Sequence, residues 1–269
     1  MSDEKYTDPN TGVLRNKLNI KDKNELRIAE AELSLARLVD IQRKNKTPER
    51  FDFAHLKDIH KYLFQDIYEW AGQQRTVEIG KGNIFCLSSF IDTYAASVFS
   101  SFYPDCSRAK NNKEKFVDVL AKNYADLNAL HPFREGNGRT QREFTRQICE
   151  KCGYDFDLSC TTHEKMLAAS VLSFNTGDYS KLKEIFKEAV TPLAREKEKD
   201  ISIFTSDDIK IYEEWKREQE SSRNDYIING EKQSLSNDEF ASAILSGQDV
   251  KVCESSNQDY SLDRDDLAK

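Results

Sequence analysis

No stretch of this 269-residue chain approaches the ~18–20 consecutive apolar residues that a helix needs to cross a bilayer, so no membrane span is expected. The start, Met1-Ser2-Asp3-Glu4-Lys5, lacks the basic and then apolar pattern of a secretory signal, which predicts a cytoplasmic protein. Internal repeats and low-complexity tracts are also missing, which excludes solenoid architectures. Neither half is basic enough for nonspecific nucleic-acid binding. What remains is a soluble globular composition, 38% hydrophobic and 32% charged, long enough for one medium domain with an appendage.

Six cysteines stand at 86, 106, 149, 152, 160 and 253. Without an export signal an even count says little about disulfides, because cytosolic thiols stay reduced. Cys149 and Cys152, followed by Cys160 and His163, have a spacing that a zinc site could use. The first pair also falls on a predicted helix at i, i+3, where small thiols are ordinary core residues. Core packing is the expectation.

Charge divides the chain. Residues 194–269 hold 19 acidic and 11 basic side chains, a net of −8; with −7 overall, residues 1–193 are left at +1. A domain of 1–193 followed by an acidic appendage of 194–269 is therefore expected. Within the domain, apolar spacing of three and four predicts helices over 23–45, 53–71, 91–102, 112–130, 138–152, 163–174 and 180–189. One stretch departs from that period. Arg75 to Ile79 alternates like a strand, 80–83 is turn chemistry, and Ile84 to Leu87 returns, so a hairpin is expected inside a mainly α protein. In the appendage, Tyr226-Ile227-Ile228 and Val250-Lys251-Val252 predict short strands. Between them Asp238 to Leu245 reads as a helix, with Ser236 and Glu239 as its capping box, which makes a small α/β unit.

The chemistry is concentrated in His131-Pro132-Phe133-Arg134-Glu135-Gly136-Asn137-Gly138-Arg139-Thr140-Gln141-Arg142, between two predicted helices. Pro132 stops the first helix and leaves His131 at its end. Gly136 and Gly138 permit a tight loop whose N–H groups converge on an anion, at the positive end of the next helix. Arg139 and Arg142, three apart, can clamp a polyphosphate. Glu135 is a hard oxygen ligand suited to Mg²⁺ bound with phosphates, and His131 can act as general base near neutral pH. Taken singly, each residue has a blander reading: a helix-end histidine, a lone G-x-G, two solvated arginines. Nine specified residues in one loop with complementary chemistry favour a site. His60 on its amphipathic helix, Trp70 and Phe133 read as packing residues, and His55 and His163 have no supporting constellation.

This loop resembles the signature of the Fic family, HPF-x-[D/E]-GNGR-x-x-R, at every defined position. Ile59-His60-Lys61 and 66–72 are similar to the family's helix before its flap, and Arg75-Thr76 with Lys81-Gly82-Asn83 to the flap itself. Asp8 to Asn16 resembles the start of Fic toxins and host-targeted effectors. The likeness covers about residues 6–190. It implies a Fic-fold helical bundle with a β-hairpin flap and a protein adenylyltransferase using ATP with Mg²⁺. His131 would be the catalytic base and Glu135 the Mg²⁺ ligand. Gly136, Asn137, Gly138, Arg139, Arg142, Lys81 and Gly82 would bind ATP phosphates. Thr76, Val77, Glu78, Ile79, Ile84 and Phe85 would pair with a target strand.

Many family members are restrained by [S/T]-x-x-x-E-[G/N], whose glutamate pairs with the second arginine. Here the only glutamate followed by Gly or Asn is Glu135 itself. The resemblance thus implies a separate small antitoxin that supplies a glutamate near Arg142. Toxins of this kind modify DNA gyrase B and its counterpart in topoisomerase IV, and that target is expected. The alternatives are a secreted effector modifying host GTPases, a Doc-like phosphotransferase and a non-catalytic binding module. Gly138 stands against the second alternative, and the intact His131, Glu135 and Arg142 against the third.

Overall fold

Each helical period predicted within residues 1–193 has its helix in the computed structural model, which describes residues 3–44, 48–81, 83–193, 224–235 and 250–252. The helices are α1 (Lys23–Lys44), α2 (Phe53–Phe64), α3 (Ile91–Ala109), α4 (Lys113–Leu130), α5 (Asn137–Lys151), α6 (His163–Thr176) and α7 (Ser180–Ala189). Their starts follow local chemistry. Asp52, Asn112 and Thr162 each accept a main-chain N–H of the first turn, and Gly177 ends α6 in the left-handed region.

The central helix is α4, which packs on α3, α5, α6 and α7. Its predicted face, Phe116, Leu120, Tyr124, Leu127 and Leu130, is buried throughout. Burial on this scale contributes about 1.5–3 kcal/mol for each large apolar side chain. Helix α5 is the unusual member, polar in sequence yet enclosed along most of its length. It is tolerated because its polar groups meet inside the protein. Glu143 binds Arg146 through both oxygens at 2.8 Å and Gln147 at 2.7 Å, and Thr145 returns to the Gln141 carbonyl. Cys149 and Cys152 lie in the core, as the packing reading expects, and burial pushes both thiols up. Cys160 is exposed on a 3₁₀ turn, and His163 opens α6 at the surface.

Three expectations need correction in extent. The helix predicted over 91–102 continues through Pro104 to Ala109. The helix predicted over 53–71 stops at Phe64. Beyond it, tertiary contacts take over: the Ile67 carbonyl accepts the Lys17 N–H at 2.8 Å, and Asp66 forms a two-point pair with Arg37 at 2.6 and 2.8 Å. Gly72, at φ +79°, then turns the chain back on α2. The hairpin forms, but its ladder is only β1 (Gly80–Lys81) against β2 (Asn83–Ile84), not the longer arms expected. The carbonyls of Val77 and Cys86 instead accept hydrogen bonds from the Arg75 guanidinium, leaving no cross-strand ladder there.

An unpredicted pair, β3 (Tyr154–Phe156) and β4 (Val190–Pro192), closes the far end of the domain. Residues 194–223, which follow the expected division after residue 193, lie outside the described residues. Beyond it, both expected strands are present as β5 (Asn224–Ile228) and β7 (Val250–Val252), paired antiparallel. A strand not predicted, β6 (Glu231–Leu235), flanks β5 on its other edge through an Asn229-Gly230 turn with φ of 50° and 90°. That dipeptide is a strong hairpin signal, so β6 was findable in the sequence. The helix predicted at 238–245, with Ser236 and Glu239, lies outside the described residues.

Candidate active site

Helix α4 ends at Leu130, and His131 caps it in the left-handed region, φ 40° and ψ 62°. A non-glycine residue there costs on the order of 1–3 kcal/mol and persists only where its surroundings hold it. Three contacts do so. The His131 carbonyl accepts the Arg75 Nε–H at 2.9 Å, the ring lies on Phe85 with centroids 3.8 Å apart, and Nδ1 stands 3.1 Å from the Asn128 carbonyl. A carbonyl can only accept, so Nδ1 carries the proton and Nε2 is the basic nitrogen of the neutral ring.

The following turn is braced from inside. The Asn137 amide accepts the Phe133 N–H at 2.9 Å and donates to the Phe133 carbonyl at 2.7 Å. Its side chain therefore shapes the loop, and its main chain begins α5. Gly136 sits at φ +79°, and a Cβ there would stand 2.4 Å from the Phe64 ring, so only glycine fits. Past Gly136 the first N–H groups of α5 have no carbonyl four residues back, and they form the positive mouth of the site. Glu135 is exposed at this mouth, with Oε1 accepting the Gly136 N–H at 2.9 Å.

The two arginines diverge. Arg142 folds back over the turn, its Nη1 3.5 Å from where a Cβ on Gly138 would stand. Arg139 turns the other way, onto α1. It forms a close ion pair with Glu30, donates to Ser34 Oγ at 2.9 Å, and lies over the Phe64 ring at 4.9 Å. Burial opposes its charge, but Glu30 outweighs that and holds the Arg139 pKa above its ordinary value. Tyr68 donates its hydroxyl to the same Glu30 carboxylate, and burial with that neighbour pushes the phenol far up. Sequence reading missed Glu30, Ser34 and Tyr68, since nothing in a pattern joins residues some seventy to a hundred positions from the loop.

His60 is enclosed, as the packing reading expects, and both ring nitrogens are also engaged. Nδ1 accepts the Gly72 N–H at 2.8 Å, and Nε2 then donates to the Glu135 carbonyl at 3.0 Å. The ring stacks on Phe133 at 3.8 Å. Burial drives its pKa down to about 3, so it stands neutral. Trp70 and Phe133 are core aromatics, as expected.

The hairpin leans on this site. Thr76 donates its N–H to Tyr6 Oη at 3.1 Å, Val77 is buried, and Glu78 accepts from the Ser88 main chain and hydroxyl. The Ile79 carbonyl accepts the Phe85 N–H at 3.1 Å, and Ile84 projects outward, 59% exposed. Lys81 is placed by its main chain alone, paired with Asn83, and Gly82 lies outside the described residues.

Comparison with known proteins matches this frame. The family model described as Fic/DOC family matches residues 50–149. A Sinorhizobium fredii protein named probable protein adenylyltransferase y4lH is 39% identical over 177 residues, covering 65% of this chain and 89% of that protein. The Bartonella schoenbuchensis protein adenylyltransferase VbhT is 38% identical over 174 residues, 64% of this chain but only 36% of VbhT. Among solved structures, the Bartonella tribocorum effector BepC, crystallised with bound AMPPNP, superposes with a TM-score of 0.66 at 25% identity. It covers 71% of this chain and 98% of its own.

Proposed function

The chain belongs to the Fic/DOC family, and from that membership we propose that it is a protein adenylyltransferase, moving AMP from ATP to a hydroxyl side chain of another protein. One observation carries the reading. The His131 ring is locked with Nε2 as its basic nitrogen at the end of α4, one tight turn from the positive mouth of α5.

In this reading His131 Nε2 takes the proton of a Tyr, Thr or Ser hydroxyl. The oxygen attacks the α-phosphorus in line, the bond to the bridging oxygen of the β-phosphate breaks, and pyrophosphate leaves. The N–H groups of Asn137 and Gly138 receive phosphate oxygens, that of Gly136 does so only by giving up Glu135 Oε1, and Arg142 holds the far end of the triphosphate. Arg139, engaged by Glu30, reaches a phosphate only by giving up that pair. Glu135 suits Mg²⁺ bound largely through phosphates, since it is a single exposed carboxylate at the mouth and no cluster of three or more His, Cys, Asp or Glu stands among the described residues. Bound there, Mg²⁺ would offset the charge on the phosphate oxygens.

The target we propose is DNA gyrase B or its topoisomerase IV counterpart, presenting an extended segment to the hairpin. The regulator we propose is a small antitoxin that brings a glutamate to Arg142. The absence of [S/T]-x-x-x-E-[G/N] from this sequence supports this.

Incubation with α- and γ-labelled ATP, with and without His131→Ala, tests the reaction. Label on protein from the α position alone, lost by about 10²–10⁴-fold in the variant, supports AMP transfer. Label from γ alone means phosphotransfer, and label from neither means a binding module. Adding purified gyrase B to the α-labelled reaction tests the target: if gyrase B stays unlabelled, that choice is overturned.

A further inference from the structure

We propose that Arg75 is a positioning residue that ties the hairpin to the general base, so that a segment docked on the hairpin is held in register with the His131 imidazole. The proposal rests on the AMP-transfer reading for its purpose, but its geometry stands apart from it.

The Arg75 side chain is fully enclosed, 0% exposed. Its guanidinium reaches three main-chain carbonyls on three different pieces of chain. Nε donates to His131 at 2.9 Å, Nη1 to Val77 on the ascending arm at 2.9 Å, and Nη2 to Cys86 on the descending arm in close contact. Its own N–H donates to the Pro132 carbonyl at 2.8 Å, and the Cys86 N–H donates to Ala129 at 3.1 Å. The nearest carboxylate, Glu78, stands 3.6 Å from Nη1 and is itself 46% exposed. The charge is thus met by carbonyl dipoles, including the negative end of α4, together with Glu78.

An enclosed guanidinium is costly unless every donor is satisfied. Packing a short hairpin against a helix end asks only for an apolar side chain. What a guanidinium adds is a rigid fork that fixes divergent carbonyls relative to one another. One of these belongs to His131, whose left-handed backbone needs its carbonyl held. The other two bracket the hairpin that carries Phe85 onto the imidazole. Movement of the hairpin is therefore movement of the base.

Amide hydrogen exchange on the wild-type chain in rising denaturant tests the tie without any substitution. The amides of 77–79 and 83–86 and those of His131 and Phe133 should follow one shared opening isotherm. Two separate isotherms overturn the proposal. The charge-preserving Arg75→Lys, which loses the fork, supplies the second arm. Exchange should rise together in both segments, and kcat/KM for the protein target should fall ~10–100-fold while the Kd for AMPPNP stays within about 2-fold. Unchanged target kcat/KM, or an AMPPNP affinity that falls in parallel with activity, marks a merely structural arginine and overturns it. If the wild-type chain labels no protein from α-labelled ATP, the AMP-transfer reading fails, and the exchange isotherms alone still decide the tie.

Discussion

The ring of Phe85 lies flat on the imidazole of His131, 3.8 Å between centroids and 12° from parallel. Phe85 also meets Phe174 of α6 at 4.7 Å, so one hairpin side chain links His131 to a second helix. Aromatic stacking is worth about 0.5–1.5 kcal/mol beyond the area it buries. Phe85→Ala should therefore lower kcat/KM for protein target by roughly 10-fold, with nucleotide affinity unchanged. Steady-state transfer beside an AMPPNP titration measures both; equal losses in the two would show that Phe85 acts on nucleotide binding instead.

The two loop glycines should respond differently to alanine. At Gly136 the backbone is left-handed and the added methyl meets Phe64 at 2.4 Å, so Gly136→Ala should destabilise the protein by about 1–3 kcal/mol or more. At Gly138 the methyl meets only Arg142 Nη1 at 3.5 Å, ordinary contact, and alanine favours the helix by up to about 1 kcal/mol. Thermal melts should show a lowered Tm for the first and an equal or higher Tm for the second. Any activity that Gly138→Ala loses then reflects space needed by the nucleotide, not by the fold.

His60 makes stability depend on pH. In the folded protein burial lowers its pKa to about 3, whereas the unfolded chain titrates near the ordinary 6.5. Between those values the unfolded state binds the proton and the native state does not, so stability falls as pH falls from about 6.5 towards 3. Several carboxyls held low by their partners, Asp3, Asp40 and Glu78 among them, act in the same direction below the usual carboxylate range. Urea unfolding between pH 5 and 7 isolates the histidine, and His60→Gln should flatten the slope there. An unchanged slope would assign the dependence to other groups.

Removing one partner of the enclosed Glu30–Arg139 pair leaves a buried charge, which costs about 3–5 kcal/mol. Glu30→Ala and Arg139→Ala should each destabilise on that scale. The double variant should be less unstable than the sum, because the second substitution removes the orphaned charge. A denaturant-unfolding cycle reads this directly; additive losses would show that the two residues act independently.

Much of the site was readable in one dimension because its parts lie within twelve consecutive residues. Pro132 after a helical period, two glycines and the residues between them specify a helix end, a tight turn and a helix start using local backbone preferences alone. The same holds for α4, whose apolar face is buried as spaced, and for the strands at 226–228 and 250–252. Where local preference met competition the reading overshot: the period through Ile67 and Trp70 is helical, but contacts to Arg37 and Lys17 end the helix at Phe64 and Gly72 turns the chain back on α2.

By itself the sequence determined where most helices lie and how the turn from His131 to Gly138 is made, since these depend on spacing and on what each residue's backbone permits. Only the tertiary structure decided that Arg139 faces Glu30 while Arg142 returns to the loop, that His60 holds the Glu135 carbonyl, and that Arg75 joins the hairpin to His131. Apart from the return of Arg142, those relations join residues from 56 to more than 100 positions apart. They arise when packed helices bring unlike polar groups into a space without water, where each must find a partner.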